Sequence, residues 1–474
     1  MTHSDTSSPA TGPDLSAAPR SHLRTGAVSG RKVFFFALSG LALPSVMSGE
    51  GGKMSLLSGW SSWLAMLTGS CMALLIAVII VRFARRHLTT GSLMSYVRLE
   101  MGPRSGALTG AALLVGYVAA LVLTVAIALV FLFSFLRSIG VGGEGPVLQA
   151  LAGTLLLAIG TVLTWRGISL SVNAAVALSW SSLPFVLVIM VCAIARNGVD
   201  LGPQLALEGF SAGAFAQAVI LAFGIYAGFE GVTALAMETS EPRRTIPRLL
   251  VTTVLTLGVV STTGVGLTIP IMMGHSDDLL AGSSPLYILS EVGHVTALGS
   301  VLDALMFVTL LSVVVVYLSE AGRVVATAAE DGILPRGLAH VDGKHRTPAR
   351  AVLALALLAG GILVAFLLVG GRPIFTIFLS AAVMVSYSWF TAYILIALAG
   401  VSHAVRRRDK VFGGLALLSA TSTAGTAVFS LVKHDAGSTM PQMPWIALGS
   451  IALLWAAALV NQRRRPAPEP VPAT

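Results

Sequence analysis

Apolar runs of about 20 residues, separated by short polar segments, repeat along almost the whole chain. They do not alternate as strands do, and their length is what an α-helix needs to cross the roughly 30 Å hydrocarbon layer of a bilayer. Without water to satisfy peptide groups there, each run is restricted to helix. Twelve runs are expected, near 32–56, 60–83, 105–136, 147–165, 173–195, 213–237, 248–273, 298–327, 349–369, 373–399, 412–432 and 443–461. Only 11% of residues are charged, against about 25% in a soluble domain. The fold class is an all-α integral membrane protein with twelve transmembrane helices. The third and eighth runs exceed a bilayer's needs, so tilt or protrusion is expected.

The net charge of +9 is explained by topology. With the N-terminus inside, 25 of the 30 Lys and Arg residues fall in cytoplasmic segments, while Lys53, Arg137, Arg196, Arg372 and Lys433 lie outside or near the outer face. The positive-inside rule is met at every cytoplasmic connection, both termini are cytoplasmic, and no nucleic-acid partner is needed. The expected location is the cell membrane, with the lipid bilayer as surroundings and no oligomer required. Residues 1–30 and 462–474 read as polar tails, and no cleavable leader is expected, because the first apolar run starts only at Val33. Cys71 and Cys192 sit far apart in apolar runs and read as buried packing residues.

Two connections carry structure of their own. In residues 87–103, Leu93, Met94, Val97 and Met101 share a helical face, which predicts a short interfacial helix. Residues 274–297, with Pro285, predict a short helix over an entrance.

Two runs are interrupted. In the first, Pro44 falls about 10 residues from the inner boundary, near the midplane, followed by Ser48, Gly49, Gly51 and Gly52. Proline removes an amide donor and disrupts the preceding turn. In the sixth, Gly224, Gly228 and Gly231 surround Glu230, a carboxylate that is costly at bilayer depth unless it faces protein or water. Five spans separate the starts of the two broken helices, which predicts two five-helix halves, 31–196 and 213–400, plus two C-terminal helices in 401–461. Corresponding breaks in two halves point to a binding site at the midplane.

The motifs around these breaks resemble the amino acid–polyamine–organocation superfamily, the amino acid permeases of LeuT-type fold. They are Phe223, Tyr226, Gly228, Phe229 and Glu230, then Glu238, Pro242, Arg243, Arg244, Ile246 and Pro247 after the sixth span. Gly91, Ser92, Tyr96, Val97, Gly102 and Pro103 follow the second span, and Arg323, Asp331, Gly332, Leu334, Pro335, Thr347 and Pro348 follow the eighth. The resemblance implies an inverted 5+5 repeat with discontinuous helices 1 and 6. It implies substrate contacts at Pro44, Ser45, Phe223, Gly224, Tyr226, Ala227 and Gly228, with Tyr226 or Phe229 closing over the substrate. Glu230 would tie the unwound helix to its neighbours, or titrate.

The chain departs from the family at its first break, where Leu43-Pro44-Ser45 stands in place of a Gly-Ser/Thr-Gly sequence; Gly49-Glu50-Gly51 offers a second register nearer the outer face. Span five has no lysine, and Ser182 occupies the position where proton-coupled relatives carry one. Ser182 and Ser312 could serve a hydrated or sodium-bound site, or act as helix–helix glue. Glu50 is a gate, a proton acceptor, or half of an interfacial ion pair with Lys53, the last being favoured. Glu230 is read as the only deep acid and the better coupling candidate, and Glu320 with Arg323 as a local ion pair. No catalytic constellation, metal site or cofactor motif is found. The expected function is secondary transport of an amino acid or related amine, coupled to protons rather than sodium, or exchange. A nutrient sensor on the same fold and an exporter of an amine metabolite are the alternatives.

Overall fold

The structure, a computed structural model, describes residues 30–463 apart from 42, 88–90, 144, 168–176, 178, 234–240, 344, 346 and 433–441. The expected tails, Glu238 and Lys433 therefore lie outside the described residues. All the secondary structure among the described residues is helical. Its main elements are α1 (Gly30–Gly40), α2 (Leu43–Ser58), α3 (Ser62–Ala84), α4 (Ser92–Met101), α5 (Pro103–Ser138), α6 (Pro146–Trp165), α7 (Leu183–Asn197) and α8 (Ala212–Gly224). They continue with α9 (Pro242–Met272), α10 (Ser276–Leu280), α11 (Pro285–Val292), α12 (Thr296–Glu330), α13 (Ala349–Val364), α14 (Ile374–Arg407), α15 (Lys410–Val432) and α16 (Met443–Arg463).

Among the described residues, eleven stretches are long and apolar enough to cross a membrane. The first of them, Val33–Ala84, is 52 residues long and takes in most of α1 and all of α2 and α3. Helices α5 and α12, of 36 and 35 residues, are longer than a bilayer needs, as expected.

Burial separates the helices into an inner set and a rim. Helix α5 packs along α14 and α12 and is buried on nearly every side. Its small residues permit this: a Cβ on Gly116 would strike the Trp389 ring, and one on Gly110 would strike the Met94 sulfur. The rim helices present aliphatic side chains outward, as Leu151 and Leu155 of α6, Val191 of α7, Leu357 of α13 and Leu453 of α16 do. Apolar side chains on that surface match a lipid surround.

The connection after α3 forms α4, as predicted, but it packs inward. Leu93, Met94, Tyr96 and Val97 are buried, whereas Met101, expected on the same face, is exposed. Polar contacts pin this corner: His403 of α14 bonds Glu100 through Nδ1 (2.8 Å) and meets Arg86 Nη1 at Nε2 (2.5 Å). Arginine only donates, so Nε2 accepts and the proton lies on Nδ1. Both cysteines are free, but Cys71 is exposed on α3 rather than buried, because it falls on the face turned away from the bundle.

Candidate functional site

Both predicted breaks are present. Helix α1 ends at Gly40 and α2 restarts at Leu43, so the interruption falls just before Pro44. Pro44 occupies the first turn of α2, where its missing N–H has no intrahelical partner to lose, and its carbonyl accepts from Ser48 Oγ (3.0 Å). Through the alternative register, Gly49-Glu50-Gly51, the helix is continuous.

In the sixth span α8 ends at Gly224, turns through Ile225–Gly228, and tightens to a 3₁₀ turn at Phe229–Thr233. Backbone bonds there run three residues back: Tyr226 N–H to Phe223 O, Ala227 to Gly224, Phe229 to Tyr226 and Gly231 to Gly228, at 2.8–3.1 Å. Gly228 has φ +90°, a conformation that costs an L side chain. Neighbouring helices supply donors to the opened backbone. Tyr317 Oη donates to Ala227 O (3.3 Å) and Tyr393 Oη to Tyr226 O (3.1 Å).

Glu230 is fully buried within this turn. Its Oε1 accepts from Trp389 Nε1 (2.8 Å), and its Oε2 lies 2.7 Å from Tyr393 Oη, whose single proton is shared between this carboxylate and Tyr226 O; together these contacts fasten the turn to α14. It is not the only deep acid. Glu320 of α12 is also buried, with its carboxyl so close to Gly231 that a Cβ there would collide with it. Arg323 Nη1 donates to Ser319 O (2.5 Å). Asp303, further along α12 toward its start, is buried as well. It accepts from Ser284 Oγ (2.6 Å), while its Oδ2 has no hydrogen-bond partner among the described residues.

A cavity of about 120 Å³ lies where the two breaks face α5, α12 and α14. From α2 come Ser45, Val46, Gly49, Glu50 and Lys53, a stripe at helical spacing; α8 and its turn contribute Leu221, Gly224 and Ile225. Leu279 of α10 and Pro285 of α11 line one end, so the predicted short helix at Pro285 does sit over the cavity. The polar lining groups are Ser45, Thr124, Tyr317, Ser386, Glu50 and Lys53. Three of them are engaged with backbone: Thr124 donates to Ala120 O (2.7 Å), Ser386 to Ala382 O (2.9 Å), and Tyr317 to Ala227 O. Glu50 and Lys53 are the charged ones. Lys53 Nζ and Glu50 Oε2 are 2.6 Å apart, with the side chains 9% and 15% exposed. The pair expected from the sequence is formed, and both members lie in the cavity wall.

Of the residues singled out from sequence, Ser45, Gly224 and Glu50 line the cavity. Pro44, Phe223, Tyr226, Ala227, Gly228, Phe229 and Glu230 do not line it. Phe223 packs on Phe390 and Tyr393, with ring centroids 4.7 and 5.2 Å away, and Phe229 also faces Tyr393 (5.9 Å). Tyr226 points to α3, sharing a 2.6 Å hydrogen bond with Ser70. Ser182 and Ser312 donate to backbone of their own segments, Ser179 O and Thr309 O, at 2.9 and 2.6 Å. Residue reasoning paired Lys53 with Glu50 but missed Tyr317, Trp389 and Tyr393. The usable signal was spacing: Trp389 and Tyr393 lie one turn apart on one face of their span.

A larger groove of about 350 Å³ opens among α5, α12, α13, α14 and α16. Its lining is aliphatic and aromatic except for Ser380 and Ser450, so it offers no counter-charge to a polar solute. The smaller cavity is the candidate site.

Comparison with known families matches the profile described as amino acid permease to residues 28–470. No individual curated protein matches the chain.

Proposed function

The chain belongs to the amino acid permease family, and we propose that it is a secondary transporter of a small amino acid or related amine, working by alternating access. The observation that carries this is the cavity bounded by both interrupted spans. An interrupted helix presents free backbone groups to a solute at the depth where a gate must alternate. Family membership supports a multi-pass membrane transporter; substrate, coupling and cycle are our reading.

Twelve crossings follow if Val33–Ala84 crosses twice. As one straight helix its 52 residues would span roughly 78 Å, more than twice the hydrocarbon thickness. The turn at Gly59–Ser61, where Gly59 has φ +53°, is the point of reversal. Spans one to five and six to ten then form the two halves, with both termini cytoplasmic in the cell membrane. Coupling is to protons rather than sodium, through Glu230, or transport is exchange.

Counterflow tests this. Proteoliposomes are loaded with each unlabelled amino acid or amine in turn, and entry of the labelled compound is followed. Transient accumulation of at least one compound is expected. Saturable binding without counterflow would make the protein a sensor.

A further inference from the structure

Resting on that reading, we infer that the Glu50–Lys53 pair is the charge receptor of the cavity and that it selects small zwitterions. The substrate carboxylate takes Lys53 Nζ, and its ammonium takes the Glu50 carboxylate.

Glu50 and Lys53 are the charged side chains in the cavity lining. The rest of the wall is mostly apolar, as at Leu41, Val46, Leu123, Ile127 and Phe378. Fold stability does not explain a pair in such a place, since apolar residues of similar volume avoid its desolvation cost. The two charges are in contact at 2.6 Å, so each is the other's counter-ion while no ligand is bound, and a ligand that parts them has to supply a replacement for both. The other polar lining groups, Ser45, Thr124, Tyr317 and Ser386, are uncharged hydroxyls, and the last three already donate to backbone carbonyls, so Glu50 and Lys53 alone can neutralise a ligand charge.

The pair also sets what is rejected. A zwitterion exchanges one internal ion pair for two with the ligand. A simple amine occupies Glu50 and strands Lys53, and a simple carboxylate does the reverse; an uncompensated buried charge is strongly unfavourable. Size narrows the class further. A cavity of about 150 Å³ holds benzene, with its six carbons, so 120 Å³ admits a solute no larger than about six non-hydrogen atoms.

The test uses purified full-length protein with L-alanine, ethylamine and propionate, the last two each lacking one of alanine's charges. Affinity is read by calorimetry and by thermal stabilisation. Alanine is expected to bind at least 10-fold more tightly than either single-charge compound. The variant Lys53→Gln should lose at least 10-fold in alanine affinity. Because it leaves Glu50 uncompensated, the paired substitution E50Q/K53Q is the decisive variant: it keeps a neutral pair, should fold, and should show the same loss. Failure of wild-type protein to bind alanine, equal binding of ethylamine or propionate, or unchanged alanine affinity in E50Q/K53Q would each overturn the inference. Wild-type counterflow of an amino acid alongside any of these results would leave transport standing. Counterflow of none would overturn the transport reading itself.

Discussion

Glu230 accepts two hydrogen bonds from α14, and its replacement by glutamine separates charge from packing. A glutamine can still accept from Trp389 Nε1 through its carbonyl oxygen. Its amide can donate to Tyr393 Oη, whose one proton is then released to Tyr226 O at 3.1 Å. Glu230→Gln is therefore expected to fold, with a thermal midpoint in detergent close to that of the parent, while uptake is abolished. Uptake at the parent rate would remove Glu230 from coupling and leave it as a fastener. The residue type and depth of Glu230 could be read from the chain, because a carboxylate among glycines in an apolar run stands out. Its partners could not: Trp389 and Tyr393 are 159 and 163 positions away, and nothing local in either segment announces the meeting.

At the scale of elements, the interruption of the sixth span depends on a glycine conformation. Gly228 has φ +90°, and a Cβ there would meet the Tyr317 ring at 3.1 Å. Gly228→Ala is expected to cost about 1–2 kcal/mol from the left-handed backbone alone, and to slow counterflow by disturbing the turn that carries Glu230. Gly361→Ala is the matched control. Gly361 lies in α13, has nothing within 4 Å of its Cβ position, and its replacement should leave stability unchanged or raise it by up to about 1 kcal/mol. Equal thermal midpoints for the two variants would show that the turn does not need glycine. The existence of both breaks was legible, since Pro44 and the glycines act on their own backbone. The first break's position was displaced by a few residues. Pro44 is tolerated inside the first turn of α2, so the opening lies ahead of it.

At the scale of the whole molecule, the distribution of Lys and Arg makes a topological prediction. Gly142 lies in the connection expected outside and Gly343 in one expected inside, and neither has an atom within 4 Å of its Cβ position. After replacement of Cys71 and Cys192, single cysteines at these two sites report sidedness. A membrane-impermeant maleimide applied to intact cells should modify G142C, and should reach G343C only after the membrane is opened. The opposite pattern would invert the topology and place the termini outside.

Hydropathy, run length, charge distribution and the helix-breaking residues are local properties, and they act before any helix meets another. They sufficed for a helical membrane protein with interruptions in its first and sixth spans and a short helix over the site. Helix rotation is not local, because it emerges from how α5, α12 and α14 pack together. That packing turned the Glu50–Lys53 stripe into the cavity, turned Tyr226 toward Ser70, and brought Glu320 against Gly231. A helix places its side chains all round its axis at 100° steps, so a rotation of less than a quarter turn changes which residues face the cavity without altering any local preference.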